Sequence, residues 1–251
     1  MLFFMEISVC ILTKNAERTL ASTLASVKTF SEIILLDNGS TDATLHISRQ
    51  YPNTKIHTSP FIGFGPLRNY AASLATHDWI LALDSDEILS QDLILELQAI
   101  TLDPSYSYLF PRHNFLYGKR VRGCGWDSEY IARLYHRQYT HFCHSQVHES
   151  LVSKKYFKMK FPILHTPYHT TVDFLSKMQS YSSLFAEQHQ GKKKSSFGIA
   201  LAHGSFAFFR SLLLKKGIFC GTRGWLISFY NASTTFYKYL KLEEYNKKTN
   251  N

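Results

Sequence analysis

The chain has 251 residues, of which 45% are hydrophobic and 19% are charged, so it can bury a core and is neither disordered nor a disulfide-stabilised miniprotein. The net charge of +9 arises in residues 191–251, where 11 basic residues face two acidic ones, which leaves 17 of each sign in residues 1–190. The four cysteines form no CxxC pair, no run of about 18 apolar residues predicts a membrane-spanning helix, and the N-terminus lacks the basic region of a signal peptide.

The first hundred residues alternate between strand and helix patterns. The run Glu32–Leu36 shows no polar alternation, which is typical of a strand that is buried on both faces. The predicted strands are residues 7–12, 32–36, 55–58 and 79–83, and the predicted helices are a segment from 15 or 16 onward, 66–75 and 90–102. This alternation predicts an α/β fold with a mostly parallel sheet and helices on both faces.

The second half of the chain has a different pattern. Aromatic residues and short β-like stretches predict added antiparallel strands at 107–111, 130–135 and 146–152. Residues 171–190 are expected to be helical, and after a basic break at 191–196 two more helices are predicted over 197–216 and 224–244.

Polar side chains follow three of the predicted strands, at the sheet edge where ligands of open parallel sheets bind. Each group taken alone also suits a turn or a helix cap, but all three fall at one edge. The groups are Thr13 to Glu17 after the first strand, Asp37 to Ser40 after the second, and Asp84 with Asp86 after the fourth.

Asp84-Ser85-Asp86 is the most informative of these groups. Two carboxylates one residue apart, directly after an apolar strand, can place Mg²⁺ or Mn²⁺ beside a diphosphate. The cation then offsets the charge that develops on a leaving diphosphate. We therefore predict a divalent cation site at Asp84 and Asp86.

The sequence resembles the family 2 glycosyltransferases, which are inverting nucleotide-sugar enzymes of the GT-A fold. The matching stretches are Ser8–Asn15, Glu32–Asp42, Gly65–Ala71 and Trp79–Glu87. A looser resemblance, to the lipopolysaccharide core β-1,4-glucosyltransferases, rests on Trp126, 132–135, 147–149, 165–169, 173–177, 181–182 and 207–224. The resemblance implies a GT-A catalytic domain over 1–190, with nucleotide-sugar binding in 1–100 and acceptor binding in 101–190, followed by a basic helical region over 191–251.

The resemblance also implies roles for individual residues. Asp37 would contact the uracil of a UDP-sugar, Thr13 and Glu17 would approach the uridine, Arg68 would face the nucleotide, Asp84 would approach the ribose, and Asp86 would bind the metal. The family commonly has Asn and Glu adjacent, whereas an alanine separates Asn15 from Glu17 here.

Inversion requires a base that deprotonates the acceptor hydroxyl as it attacks the anomeric carbon. The carboxylates Asp127, Glu129, Glu149 and Asp173 follow the Asp-Ser-Asp triplet, and we favour Glu149 because His148-Glu149 matches the subgroup, with Asp127 second. His148 would orient the acid or contact the diphosphate. His165 and His169 flank Pro167, which disfavours a helical metal pair, so we expect them to be acceptor-site or loop residues.

The basic C-terminal helices mix lysine and arginine with large apolar side chains, as in helices that lie on an anionic bilayer. Packing on the catalytic domain or a homo-oligomer interface are the alternatives, and no nucleic-acid motif is present. A lipid-linked saccharide acceptor would place the protein in the bacterial cytoplasm, on the inner face of the inner membrane.

Three other functions compete with this one. The same fold could serve another lipid or polysaccharide acceptor. A nucleotidyltransferase also uses paired carboxylates, but it needs a glycine-rich loop after the first strand, and residues 13–18 contain no glycine. A basic membrane-surface adaptor would explain the tail but would leave Asp84 and Asp86 without a role.

Overall fold

The computed structural model describes residues 5–127, 129–144 and 149–249. The strands are β1 (Met5–Thr13), β2 (Phe30–Asp37), β3 (Thr54–Thr58), β4 (Trp79–Asp84), β5 (Glu87–Leu89), β6 (Ser107–Leu116), β7 (Lys119–Arg120), β8 (Glu129–His136), β9 (Tyr156–Lys158) and β10 (Ile163–Tyr168). The helices are α1 (Leu20–Ser26), α2 (Thr44–Ser48), α3 (Phe64–Ser73), α4 (Gln91–Ala99), α5 (Thr171–His189), α6 (Phe197–Phe209) and α7 (Thr222–Thr249). A π-helical turn (Arg210–Leu214) and a 3₁₀ turn (Gly217–Cys220) connect α6 to α7.

The chain divides into two compact units. The first, here called the sheet unit, comprises the described residues of 5–113 and 129–165, and the second, the helical unit, comprises those of 114–127 and 166–249. The predicted catalytic domain over 1–190 and basic helical region over 191–251 remain a prediction. Within the helical unit, α5 packs on α7.

The sheet has the strand order β3-β2-β1-β4-β8-β6-β10-β5, with β7 and β9 paired to β6. The strands β3, β2, β1 and β4 are parallel, whereas β8 runs antiparallel to β4 and β6. This confirms the predicted α/β fold with a mostly parallel first half and antiparallel additions. The predicted strand 146–152 falls partly outside the described residues, and within them Leu151 forms an isolated bridge with Phe142.

Two cores cover the two faces of the sheet. Successive side chains of a strand point to opposite faces, so Val9 and Ile11 join one apolar cluster with α1, while Cys10 and Leu12 join another with α3. Both clusters are excluded from water, which explains why β1 and β2 carry uninterrupted apolar runs.

The helical unit has its own, smaller core. Trp126 stacks on Tyr168 and Phe174, whose rings lie 4.1 Å apart and almost parallel. Ile227 of α7 belongs to the same cluster. Burial, together with the neighbouring Tyr230 hydroxyl at 2.8 Å, raises the pKa of Tyr168.

Candidate active site

The carboxyl ends of β1, β2 and β4 bring three of the predicted site residues together. In the strand register Thr13 is opposite Asp37, and Leu12 is opposite Asp84. Thr13 is buried, and its hydroxyl has no hydrogen-bond partner among the described residues. The edge predicted from the sequence is therefore the edge at which these polar groups meet.

The loop after β2 is held by the carboxylate of Asp37. Asp37 Oδ2 accepts hydrogen bonds from the backbone N–H groups of Gly39 and Ser40 at 3.0 Å, and Oδ1 accepts one from Ser40 Oγ at 2.5 Å. Gly39 has a φ of +88°, which glycine adopts without strain. Asp37 is 2% exposed, so it fixes the conformation of the loop after β2 from beneath the surface.

Glu17 joins the first two strand-end loops. Its backbone N–H donates to Asp42 Oδ2 at 3.1 Å, and its carboxylate accepts from the backbone N–H of Ala43 at 3.2 Å, just before α2. Asn15 connects the same loops, because its side-chain oxygen accepts from Thr41 N at 2.8 Å. This geometry gives Glu17 a structural function; its predicted contact with uridine remains a prediction.

A chain of alternating charges lies beside the end of β4. Arg68 of α3 donates from Nη2 to Asp84 Oδ1 at 2.6 Å and from Nε to Glu149 Oε1 at 2.9 Å. Arg133 of β8 donates from Nη2 to Asp84 Oδ2 at 2.6 Å and to Glu87 Oε1 at 2.7 Å. Both arginines and Glu87 are buried, so the Arg133–Glu87 pair is shielded from solvent, whereas the Asp84 side chain remains 35% exposed.

The two arginines fix the ionisation of Asp84. Burial alone would raise the pKa of this carboxyl, but the Arg133 and Arg68 guanidiniums outweigh burial and hold the pKa well below its ordinary value. The same pairing raises the pKa of Arg133. Asp84 is therefore an anion at every physiological pH, and both of its oxygens have a guanidinium partner.

Asp86 points to a different neighbour. Its Oδ2 lies 3.4 Å from Nε2 of His165 on β10. The register places His165 opposite Glu87, one residue after Asp86, which explains the approach. The structure places His165 on a strand and not in a loop, beside the second acid of the Asp-Ser-Asp triplet. Its predicted acceptor-site role remains a prediction.

The other candidate bases have different surroundings. In the helical unit, Asp127 is 53% exposed in its side chain and lies 3.5 Å from Arg120 Nη2. Asp173 forms a capping box with Thr170 at the start of α5, which is a structural role. Glu129 of the sheet unit pairs with Arg112, and His148 lies outside the described residues.

Sequence reasoning assigned no role to Arg133, Glu87 or Arg112. Arg112 of β6 reaches Glu87 Oε1 at 3.4 Å, so the fully buried Glu87 is shared by two guanidiniums. A usable signal was present, because a charged residue that interrupts an apolar strand needs a partner when it is buried. Arg112 and Arg133 both occur in such strands.

Among the described residues no group of three or more His, Cys, Asp or Glu side chains forms a ready metal cluster. The pair Asp86 and His165 nevertheless offers an oxygen and a nitrogen donor 3.4 Å apart, one in the turn after β4 and the other on β10.

Comparison with known proteins gives consistent results. The model of the family described as "Glycosyl transferase family 2" matches residues 8–216. An uncharacterized glycosyltransferase of Rickettsia typhi is 30% identical, over 98% of this chain and 89% of its own length. The lipopolysaccharide core biosynthesis glycosyltransferase LpsC of Rhizobium meliloti is 24% identical, over 92% of this chain and 90% of its own length. Among solved structures, S. aureus TarS residues 1–349 in complex with UDP-GlcNAc is 15% identical, with a TM-score of 0.47, over 98% of this chain and 92% of that one.

Proposed function

We propose that this chain, which belongs to glycosyl transferase family 2, transfers a hexose from a UDP-sugar to an inner-core heptose of lipopolysaccharide with inversion at the anomeric carbon. That it is a glycosyltransferase with a GT-A fold follows from the family match and from the mixed sheet with helices on both faces. Glucose is the hexose we propose first. The Rhizobium meliloti relative, a lipopolysaccharide core biosynthesis glycosyltransferase, supports an acceptor in the lipopolysaccharide core.

One observation carries the assignment of the site. The two acids of the Asp-Ser-Asp triplet face different partners: Asp84 is held by two arginines, and Asp86 faces His165. A donor diphosphate carries negative charge, so it needs cations at the strand ends. The arrangement supplies a fixed anion at Asp84 for the ribose hydroxyls and leaves Asp86 for a cation.

The residues present fit a divalent cation. Asp86 with His165 would hold it, and the bound cation would offset the charge on the departing UDP. Asp84, which the sequence also offered as a metal ligand, would face the ribose instead, because the two guanidiniums that pair with its oxygens would repel a cation. Asp37 would face the uracil at the end of β2.

Glu149 is the base in this proposal. Its Oε1 accepts from Arg68 Nε, which orients the carboxylate, and Oε2 is the oxygen we assign to the acceptor hydroxyl. That hydroxyl loses its proton to Glu149 as its oxygen attacks the anomeric carbon, while the bond from that carbon to the UDP oxygen breaks on the opposite face. Asp127 is the second candidate base.

Isothermal titration with UDP, with and without Mn²⁺, tests the donor site. We expect UDP binding that requires the cation, and we expect Asp86→Ala to lose this Mn²⁺-dependent binding. In a separate transfer assay the same variant should lose about 10²–10³-fold in turnover. Asp92→Ala, which removes an exposed acid of α4, is the matched control and should behave as the wild type. A UDP affinity that is the same with and without Mn²⁺, and the same in Asp86→Ala as in the wild type, would refute the cation site.

A donor screen against purified lipid core, with linkage analysis of the product, tests the substrates. Transfer of glucose from UDP-glucose to a heptose is the expected outcome. Transfer from UDP-glucose to a different glycolipid would keep the enzyme class and overturn the acceptor.

A further inference from the structure

The helical unit exposes an unusual number of large apolar side chains within one short segment. Exposure of 52% to 85% would already be notable for one large apolar side chain, and here the exposed side chains follow each other along α6 and the turns after it. They include Phe197 at 59%, Leu201 at 52%, Phe206 at 61%, Phe209 at 57%, Leu213 at 53% and Phe219 at 85%. Contiguous apolar surface of this kind marks an interaction site.

The packing of α6 explains why these side chains remain exposed. The helix packs on α7 along one side, which includes the buried Ala200 and Gly204 and the ring of Phe208 against Phe229, and a Cβ atom at Gly204 would lie only 3.0 Å from Phe236 Cβ. The other sides of α6 are apolar as well. A helix that is apolar all round is normally buried, yet only 22% of the segment Phe197–Leu214 is buried.

The charge of this region indicates the partner. Residues 188–242 contain no aspartate or glutamate but nine lysines and arginines, among them Lys192 to Lys194 just before α6 and Lys215 with Lys216 just after it. An apolar helix with cationic side chains at both ends is complementary to a partner that has an apolar interior beneath an anionic surface layer. A second copy of this chain would bring like charges together, so charge disfavours a dimer on this face.

We propose that α6 and the turn that carries Phe219 dock on an anionic phospholipid bilayer, with the apolar side chains in the acyl boundary and the lysines among the headgroups. This surface belongs to the helical unit and does not depend on the candidate active site, so it goes beyond the proposed reaction.

A helix that lies on the bilayer fits better than one that crosses it. By length and composition alone the segment Phe197–Leu214 could span a membrane, which the sequence did not predict, and buried helices of soluble proteins pass the same test. Its C-terminal end, however, is anchored in the protein: Ser211 and Leu212 are buried, and a Cβ at Gly217 would lie 2.8 Å from Cys124 Sγ. A spanning α6 would have to pull this anchor and the polar α7 into hydrocarbon.

Vesicle flotation with the full chain tests the proposal. The probes are vesicles of phosphatidylcholine alone and of phosphatidylcholine with 30% phosphatidylglycerol, each at low and high salt. We expect binding to the anionic vesicles that weakens at least tenfold at high salt. The double variant Phe206→Ser/Phe219→Ser should also weaken binding at least tenfold, whereas Val172→Ser, an equally exposed apolar residue of α5, should not.

Circular dichroism shows that each variant is folded, and UDP binding shows that the donor site is intact. Binding that is unchanged in the double variant, or absent from both vesicle types, would overturn the docking surface and would leave the transferase assignment standing. Protein that stays with membranes after extraction at high pH would indicate a spanning helix and would equally refute the proposal. A concentration-dependent dimer that the double variant abolishes, without vesicle binding, would assign the face to a second copy.

Discussion

The two units of this protein depart from ordinary globular chemistry in opposite ways. The sheet unit buries charge, because Arg68, Arg133 and Glu87 lie almost entirely out of water in one network of ion pairs. The helical unit exposes apolar surface along α6. Both arrangements cost stability when nothing is bound, since buried ions lose hydration and exposed aromatic groups order water. The difference is the one we expect if the sheet unit binds a charged ligand and the helical unit binds the amphipathic surface proposed above.

The largest effect should follow removal of Arg133. Arg133→Met would leave Asp84 and the fully buried Glu87 with one guanidinium partner fewer each, and we expect a loss of about 3–5 kcal/mol in the free energy of unfolding. Urea denaturation measures it. Lys247→Met is the matched control, because Lys247 is 73% exposed and its pair with Glu243 should contribute less than about 0.5 kcal/mol. Equal losses in the two variants would show that the buried ion pairs contribute no more to the free energy of unfolding than the exposed pair does.

The base assignment predicts the next largest effect. Glu149→Gln keeps an acceptor for Arg68 but cannot take a proton, so turnover should fall by about 10²-fold or more while UDP binding persists. Single-turnover transfer and calorimetry separate the two quantities. Asp127→Asn, run beside it, should leave turnover within a few-fold of the wild type. The reverse ranking would move the base to Asp127, and loss of UDP binding in Glu149→Gln would make Glu149 a structural partner of Arg68.

The fold could be predicted from the sequence where local patterns are strong. The apolar runs of β1, β2 and β4 and the amphipathic helices between them specify a parallel sheet, and the structure confirms it. The short strands β5 and β9 escaped prediction, because three residues carry too little periodicity to identify a strand. Chain order also does not indicate that α5 packs on α7.

The sequence indicated the candidate site residues at the ends of the parallel strands but not their partners from later strands. Turn chemistry after an apolar strand identifies Asp37, Asp84 and Asp86 without any knowledge of contacts. Arg133 and His165 arrive from strands about 50 and 80 residues later, and only the register of β8 and β10 decides what they meet. Pairings of this range depend on tertiary packing, which local sequence does not encode.

Glu32 offers a second buried acid that should affect stability alone. Its carboxylate accepts from Ser8 Oγ and pairs with Lys55 Nζ, both at 2.5 Å, and Thr76 donates twice at 2.7 Å. Burial opposes ionisation, but these partners outweigh it and lower the pKa of Glu32 from 4.5 to about 2. A lowered folded-state pKa stabilises the fold above the unfolded-state value, and that contribution is lost as the pH falls towards 2.

We therefore expect Glu32→Gln to cost about 2 kcal/mol at pH 7 through its charge-assisted hydrogen bonds. The difference from the wild type should shrink between pH 4.5 and pH 2, as urea melts across that range would show. Turnover at pH 7 should not change. A stability difference that stays constant down to pH 2 would mean that the ionised carboxylate is not what the partners stabilise.

The smallest effect concerns the packing of α6 on α7. We expect the change in stability to have opposite signs at two glycines of α6. In Gly204→Ala the new Cβ would lie 3.0 Å from Phe236 Cβ and 3.3 Å from the Ala232 carbonyl oxygen, so α6 must shift from α7, and we expect a loss of about 1 kcal/mol. In Gly198→Ala the nearest atom is Ser196 Oγ at 4.0 Å, so the substitution should gain up to about 0.5 kcal/mol from helix propensity. Thermal melts of the two variants test this directly, since both remove a glycine and add one methyl group. An increase in stability in both variants would show that α6 packs only loosely on α7. In that case the packing at Gly204 would not determine which face of α6 is exposed.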